Sequence, residues 1–113
     1  MILKSKICGV SDSETLNFIV NHKNPPLFIG FIVNYRKSKR YVDVENLKDL
    51  VQVDKKKSFY VAVLVNPEKN ILDNIKDLKV NYLTIHISSG LEVLKACKKV
   101  SGKTKLVGVT ILT

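Results

Sequence analysis

The sequence predicts an α/β protein in which a parallel sheet of about five strands alternates with about four helices. Five short apolar runs, rich in β-branched residues, recur along the 113 residues, and segments of helical periodicity separate them. Runs that are apolar without alternation are typical of strands buried on both faces, as in parallel sheets. Successive strand–helix–strand units of this kind form one sheet with right-handed crossovers.

The five predicted strands are defined by these apolar runs. In chain order they are Ile2–Cys8, Leu27–Val33, Phe59–Val65, Tyr82–Ile87 and Leu106–Leu112. The carboxyl ends of parallel strands lie at one edge of the sheet, and α/β proteins hold their functional groups there. The candidate features at that edge are Cys8, the loop Val33–Tyr41, Asn66, His86 and Thr113.

Capping signals predict where each helix begins. Ser11 and Glu14 form a predicted capping box before the first helix. Asp43 is the predicted cap of a second helix over Val44–Val51. Two further signals, which place a cap, a proline or an acid at the helix start, are Asn66-Pro67-Glu68 and Ser89-Gly90-Leu91-Glu92. The predicted apolar faces of the last three helices are Leu47, Leu50 and Val51; Ile71, Leu72, Ile75 and Leu78; and Leu91, Leu94 and Val100.

Two architectures fit this pattern, an open doubly wound sheet and part of a (βα)8 barrel. A full barrel needs about 250 residues, and the 113 present supply about half of one. We therefore expect a single domain over residues 1–113 that forms a parallel (βα)4β partial TIM barrel, or half-barrel. The first and last strands of such a unit are open apolar edges that can pair with another chain. A homo-oligomer formed through these open sheet edges is expected.

Length and composition exclude several classes of protein. A hydrophobic fraction of 45% with 26% charged residues is typical of an ordinary globular domain. The longest apolar runs, such as Leu27–Val33 and Tyr60–Val65, are too short to span a bilayer. The first residues lack the features of a signal peptide, so a cytoplasmic location is expected, with Cys8 and Cys97 as free thiols.

The charge pattern indicates an anionic ligand. The net charge is +9, and eight of the 19 Lys and Arg residues lie between Arg36 and Lys57, most densely in Arg36–Arg40. Such a patch suits phosphate groups, whether on nucleic acid or on a metabolite. Arginine also holds a carboxylate or phosphate in a two-pronged grip that lysine cannot make. Solvated lysine-rich helix faces and a solvated basic loop are the alternative interpretation.

Cys8 and His86 each admit two interpretations. Cys8 ends the first strand, and Gly9 after it would let a ligand approach the backbone. The positive end of the following helix dipole and nearby lysines would favour a thiolate there, which makes Cys8 a candidate general base or nucleophile. The alternative for Cys8 is a small buried hydrophobic residue. His86 ends a strand without a cluster at metal-ligand spacing, so it is structural or lines a site, and no metal is expected.

Three motifs, in the same order and at the same strand and loop positions, resemble phosphoribosylanthranilate isomerase. They are Lys6-Ile7-Cys8-Gly9, Lys37-Ser38-Lys39-Arg40-Tyr41-Val42, and Val61-Ala62-Val63-Leu64-Val65-Asn66-Pro67, and the resemblance covers about residues 4–70. It implies an Amadori rearrangement of a phosphoribosylated small molecule in tryptophan biosynthesis, with no cofactor. In that family the motif cysteine is the general base and the loop arginine binds the anthranilate carboxylate. By position these roles fall to Cys8 and Arg40.

The same resemblance implies a wider set of substrate-binding residues beside Arg40. They are Gly9, Lys37, Ser38, Asn66 and His86. Lys39 stands where the family usually has proline, which favours a less rigid loop.

The last part of the chain departs from the isomerase pattern. Residues 80–113, with YLTIHISSGLEVLKACKK and KLVGVTILT, resemble orotidine 5′-monophosphate decarboxylase, another enzyme of phosphoribosyl ligands. The catalytic DxKxxD motif of that family has no match here. The isomerase's general-acid aspartate and its phosphate-binding loops would lie beyond Thr113. The alternatives are therefore a non-catalytic half-barrel that binds phosphorylated ligands or a partner chain and, less favoured, a protein that binds nucleic acid through the basic loop.

Overall fold

The computed structural model describes residues 5–87 and 105–111, which form one sheet with three helices. The strands are β1 (Lys6–Cys8), β2 (Phe28–Val33), β3 (Tyr41–Val42), β4 (Phe59–Val65), β5 (Tyr82–Ile87) and β6 (Lys105–Ile111). The helices are α1 (Ser13–Val20), α2 (Val44–Leu50) and α3 (Lys69–Ile75). The strand order is β1-β2-β4-β5-β6, with β3 also paired to β2, and every pairing is parallel. The predicted α/β class and the open, partial-barrel form are confirmed.

The predicted strands agree closely with the observed ones. β4 and β5 have the predicted bounds, and β2 begins one residue later than predicted. β6 is shifted by one residue. β1 covers the last three residues of the predicted first strand, whose residues 2–4 lie outside the described part of the chain. β3 was not predicted, because two residues are too few to show a periodicity. The predicted fourth helix, with its cap at Ser89, and Cys97 lie outside the described residues.

The first predicted helix cap is wrong by one residue. The N-cap of α1 is Asp12 rather than Ser11, and its carboxylate accepts hydrogen bonds from the Thr15 amide at 2.7 Å and the Thr15 hydroxyl at 2.9 Å. Asp and Ser are equally good caps, so the pattern alone did not separate the two neighbours. The hydrogen bond from the Thr15 amide, followed by that from its hydroxyl, holds the pKa of Asp12 below its usual value.

The predicted cap of α2 is confirmed, whereas the predicted start of α3 is wrong. Asp43 accepts a hydrogen bond from the Asn46 amide at 2.8 Å. α3 begins only after Glu68, whose side chain makes no capping hydrogen bond. Asn66 has a φ of 44°, a left-handed conformation that Asn tolerates better than most residues. The chain therefore turns at the end of β4 and enters the helix later than the proline suggested.

The hydrophobic core lies between the helices and one face of the sheet. Side chains from all three helices and from alternate positions of the central strands form one cluster, which includes Leu16, Leu47, Leu72, Phe31, Ala62, Leu64 and Ile85. The predicted helix-face residues Leu47, Leu50, Val51, Leu72 and Ile75 are buried in it. Within the described residues, no helix is long and apolar enough to cross a membrane.

The opposite face of the sheet, here called the inner face, carries the remaining strand positions. Phe28, Phe59 and Tyr82 lie side by side on it, with ring centroids 5.6 to 6.2 Å apart. All three rings are half-buried, and they come from strands that are neighbours in the sheet. The inner face is therefore apolar near the amino ends of the strands, and the carboxyl-end loops lie at its other end.

Candidate active site at the carboxyl end of β1

The chain turns sharply directly after Cys8. Gly9 has a φ of 89°, in the left-handed region that glycine adopts without strain. The amides of Gly9 and Val10 both donate to the Gly30 carbonyl, at 2.9 and 3.2 Å. These two hydrogen bonds hold the turn against the backbone of β2, so β1 ends there and Cys8 is its last residue.

The Cys8 side chain lies over the inner face. Cys8 pairs with Gly30 in the parallel register, and its Sγ is 3.1 Å from the point where a Gly30 Cβ would be. That point faces away from Ile29 and Phe31, which belong to the helix-packed core. Cys8 is a free, exposed thiol. The interpretation of Cys8 as a small buried hydrophobic residue is therefore wrong, and its free-thiol state is confirmed.

The short strand β3 brings the basic loop to Cys8. β2 pairs with β4 along its whole length, so β3 occupies the other edge of β2, just beyond the end of β1. The Asn34 amide donates to the Val42 carbonyl at 2.9 Å, which closes the loop. Arg40, directly before β3, thus lies against the turn at Gly9. Its Cδ is 3.0 Å from the position of a Gly9 Cβ.

Hydrogen bonds within the basic loop hold its backbone. The Ser38 amide donates to the Tyr35 carbonyl at 3.0 Å, and the Arg40 amide donates to Ser38 Oγ at 3.2 Å. Ser38 therefore supports Arg40, while Lys37 and Arg40 are exposed. Among the described residues, the only ion pair joins Lys48 and Glu45, on helix α2. The cations of the loop are thus not neutralised by any described carboxylate.

A cavity of about 280 Å³ joins these groups. Cys8, Gly9 and Arg40 line it from one side, and Ser11, Asp12 and Thr15 line it from the start of α1. The sequence predicted Ser11 only as a cap, and neither Asp12 nor Thr15 was predicted as a site residue. Their position directly after a strand end was the available signal, because βα loops hold site residues in barrels. The end of β1, the basic loop and the start of α1 thus line one cavity.

Asn66 and His86 form a second group along the same edge of the sheet. The Asn66 amide donates to the His86 carbonyl at 2.8 Å, which joins the ends of β4 and β5. His86 is half-buried and alternates with Ile85, a core residue, so its side chain lies on the inner face. β2 separates Asn66 from Cys8, and β2 and β4 separate His86 from Cys8. The structure thus places the described predicted residues at one edge but brings only Cys8, Gly9 and Arg40 into one cavity, while Thr113 lies outside the described residues.

A larger cavity of about 830 Å³ lies at the opposite end of the sheet. It is lined by residues around the amino ends of β4 and β5, including Asp54, Tyr60 and Asn81, and holds none of the predicted site residues. Tyr60 is structural there, because its buried hydroxyl donates to the Val53 carbonyl at 2.7 Å. Burial, with a smaller contribution from Asp54, raises the pKa of Tyr60 to about 12. No three described His, Cys, Asp or Glu side chains cluster as metal ligands.

Comparison with known proteins gives a consistent set of relatives. No family model matches the chain. Over 86 residues the chain is 34% identical to N-(5′-phosphoribosyl)anthranilate isomerase of Thermoanaerobacter sp. (strain X514), covering 75% of this chain and 40% of that protein. Over 113 residues it is 31% identical to the same enzyme of Thermotoga maritima, covering 96% of this chain and 52% of that protein. Over most of its length the chain is therefore similar to about half of a phosphoribosylanthranilate isomerase.

Solved structures of the isomerase family share the fold described above. One, in complex with reduced 1-(o-carboxyphenylamino)-1-deoxyribulose 5-phosphate, matches with a TM-score of 0.75 at 27% identity, over 95% of this chain and 53% of that one. Another, of mutually generated monomers of the dimeric Thermotoga maritima isomerase, matches with a TM-score of 0.71 at 29% identity, over 96% and 55%. The chain spans about half the length of these relatives. The likeness also extends past residue 70, where the sequence analysis ended it.

Proposed function

We propose that this chain forms the thiol-bearing half of an active site for the Amadori rearrangement of N-(5′-phosphoribosyl)anthranilate. The observation that carries the proposal is the single cavity shared by Cys8, Gly9 and Arg40 at the carboxyl end of β1. A phosphoribosylated anthranilate carries a carboxylate and a phosphate, and the basic loop offers unneutralised cations to both. The analogue bound by a solved relative has the same two groups.

Cys8 is the proposed general base. In this rearrangement a proton leaves the sugar carbon next to the one that bears the nitrogen, and the aldose becomes a ketose. The Cys8 side chain on the inner face is exposed to a ligand lying across the strand ends, as a base must be. The opening of the sugar ring requires a general acid, and we assign that role to none of the described residues. The proposed site is thus complete only with a second half-barrel.

Arg40 is the proposed clamp for the anthranilate carboxylate. Its guanidinium stem packs against the Gly9 turn beside Cys8, so a carboxylate held there would lie next to the base. Ser38 acts through the Arg40 backbone, and Lys37 adds charge at the rim of the loop. Asn66 and His86 are proposed to contact the part of the substrate that extends along the strand ends. We further propose that the protein works in the cytoplasm, where amino-acid biosynthesis takes place.

A second copy of the chain is the proposed partner, through the open edges of the sheet. β1 is an edge strand of the described sheet, and Ile7 on it is 41% exposed. Edges of this kind pair readily with other chains. Light scattering at micromolar concentration should give at least twice the mass of one chain, and a monodisperse monomer would refute this proposal. The single-domain assignment and the decarboxylase-like character of residues 80–113 stay predictions.

Complementation of a tryptophan auxotroph that lacks the isomerase tests the proposed function. Growth restored by the wild-type chain together with a second half-barrel should persist in Cys97→Ala, which removes the other thiol, and should be lost in Cys8→Ala. Loss of a general base lowers the rate by about 10²–10⁴-fold. Growth with Cys8→Ala as fast as with the wild type would overturn the role of Cys8. Thermal stabilisation by a phosphoribosyl ligand without any turnover would instead indicate a non-catalytic half-barrel.

A further inference from the structure

Gly30 lies under the candidate base in the middle of β2. It is buried and pairs with Cys8 on one side and Val61 on the other. Glycine weakens a strand interior, and in such a position it often marks a close approach of another group. The backbone conformation offers no reason for glycine, because Gly9 is the only described glycine with a positive φ. The reason must therefore lie in what occupies the space above Gly30.

The space above Gly30 is filled by two side chains of β1. A Cβ at Gly30 would lie 3.1 Å from Cys8 Sγ, a tighter contact than most Cβ atoms make, and 3.4 Å from both Lys6 Cε and the Cys8 Cα. The sulfur thus rests directly on the backbone of β2. No larger residue leaves it that position without a shift of the thiol or of the strand.

We propose that Gly30 is a positioning residue for the Cys8 thiol. Because Gly30 has no side chain, the thiol can pack against the β2 backbone over the inner face, and this packing position at Gly30 is here called the seat. The inference rests on the proposed function in one respect, that the thiol is the base. A methyl group at Gly30 would push the sulfur toward the open edge of the sheet, since β2 and β4 occupy the other side. The 3.1 Å contact requires the sulfur to shift by a few tenths of an ångström. For comparison, a displacement of about 1 Å lowers a rate about 10²-fold.

A double-mutant cycle tests the seat without any activity measurement. Gly30→Ala should lower the melting temperature by several degrees when Cys8 is present. In the Cys8→Ala background, which removes the sulfur, the same substitution should lower it by less than half as much, because interacting neighbours are not additive. Val63→Ile is the matched control, since it adds one carbon to the inner face on β4 and should cost the same with or without the sulfur. Equal costs of Gly30→Ala in the two backgrounds would overturn the inference.

Thiol reactivity gives a second readout that separates the inference from the proposed function. In folded Gly30→Ala the displaced thiol should react with iodoacetamide at least threefold faster than in the wild type, while Val63→Ile should leave the rate unchanged. An unchanged rate in Gly30→Ala would also overturn the seat. Should Gly30→Ala not fold, rescue of folding by the added Cys8→Ala supports the seat, and failure of rescue refutes it.

If the wild-type protein is active, its steady-state kinetics provide a third test of the proposed role of Gly30. Gly30→Ala should lower kcat at least tenfold with KM within twofold, because the base moves while Arg40 and the rest of the cavity stay. A rise in KM at unchanged kcat would contradict a positioning role. A wild-type chain without turnover would count against the proposed function alone, since the melting and alkylation arms still decide whether Gly30 seats the thiol.

Discussion

Replacing Arg40 by lysine separates a two-pronged carboxylate clamp from a diffuse basic patch. Arg40→Lys keeps the positive charge at the cavity but offers a point charge in place of a planar fork. Arg36→Lys is a matched control, because Arg36 is also exposed in the same loop but does not line the cavity. If the cavity holds a carboxylate on Arg40, the two variants should differ, although their net charges are the same.

The expected magnitude follows from the exposure of Arg40. A hydrogen bond to a charged group contributes about 1.5–3 kcal/mol, and exposed Arg40 belongs at the low end, because solvent screens it. Losing one of two prongs should therefore cost about 1.4 kcal/mol, or about tenfold in affinity. Arg36→Lys should change the affinity by less than twofold.

Calorimetric titration with a phosphoribosylated anthranilate analogue measures both affinities. The same titration with a des-carboxy analogue should show no difference between Arg40→Lys and the wild type, because the lost prong had no partner. Equal weakening by Arg36→Lys and Arg40→Lys would refute the clamp. Equal weakening with a steep loss of affinity as salt rises would instead indicate a diffuse polyanion-binding surface, such as the nucleic-acid alternative.

Two further predictions concern stability. Tyr60→Phe should lower the free energy of unfolding by about 1 kcal/mol in urea titrations, since the buried hydroxyl bonds the Val53 carbonyl; Tyr82→Phe, on the inner face, is the control, and equal effects would contradict the assignment. Because the folded-state pKa of Tyr60 is raised to about 12, wild-type stability should fall between pH 10 and 12, and less so in Tyr60→Phe. The lowered pKa of Asp12 stabilises the folded state above the unfolded value of 3.8, so this contribution should be lost on acidification below it, and Asp12→Ala should abolish that loss.

The strands and their parallel arrangement were predictable from local sequence. β4 is a continuous apolar run, and its central positions on both faces are buried, as such a run predicts. The sheet order followed from helices between successive strands, which forbid hairpins and leave right-handed crossovers. Local signals failed where two neighbours are equally suitable, as with Ser11 and Asp12. They also failed at Asn66, where a left-handed turn delays the helix that Pro67 suggested.

The sequence predicted which residues lie at the edge of the sheet that holds the candidate site, but not which of them lie close together. Cys8, Arg40, Asn66 and His86 were each assigned to one edge because strand ends can be read from the sequence. Which of them meet depends on strand pairing. Arg40 reaches the Gly9 turn only because β3 pairs with the free part of the β2 edge, and the two residues of β3 are too few to show a pattern.

The sequence by itself determined that this protein is a parallel half-barrel with a thiol and a basic loop at the carboxyl ends of its strands. Periodicity, β-branched runs and strand-end motifs are local properties, so they can be recognised in the sequence without knowledge of distant contacts. Only the tertiary structure decided that Cys8 is exposed on the inner face, that Arg40 packs on Gly9, and that Gly30 makes room for the sulfur. Those contacts join residues far apart in the chain, and the register of β1 on β2 sets them to a fraction of an ångström.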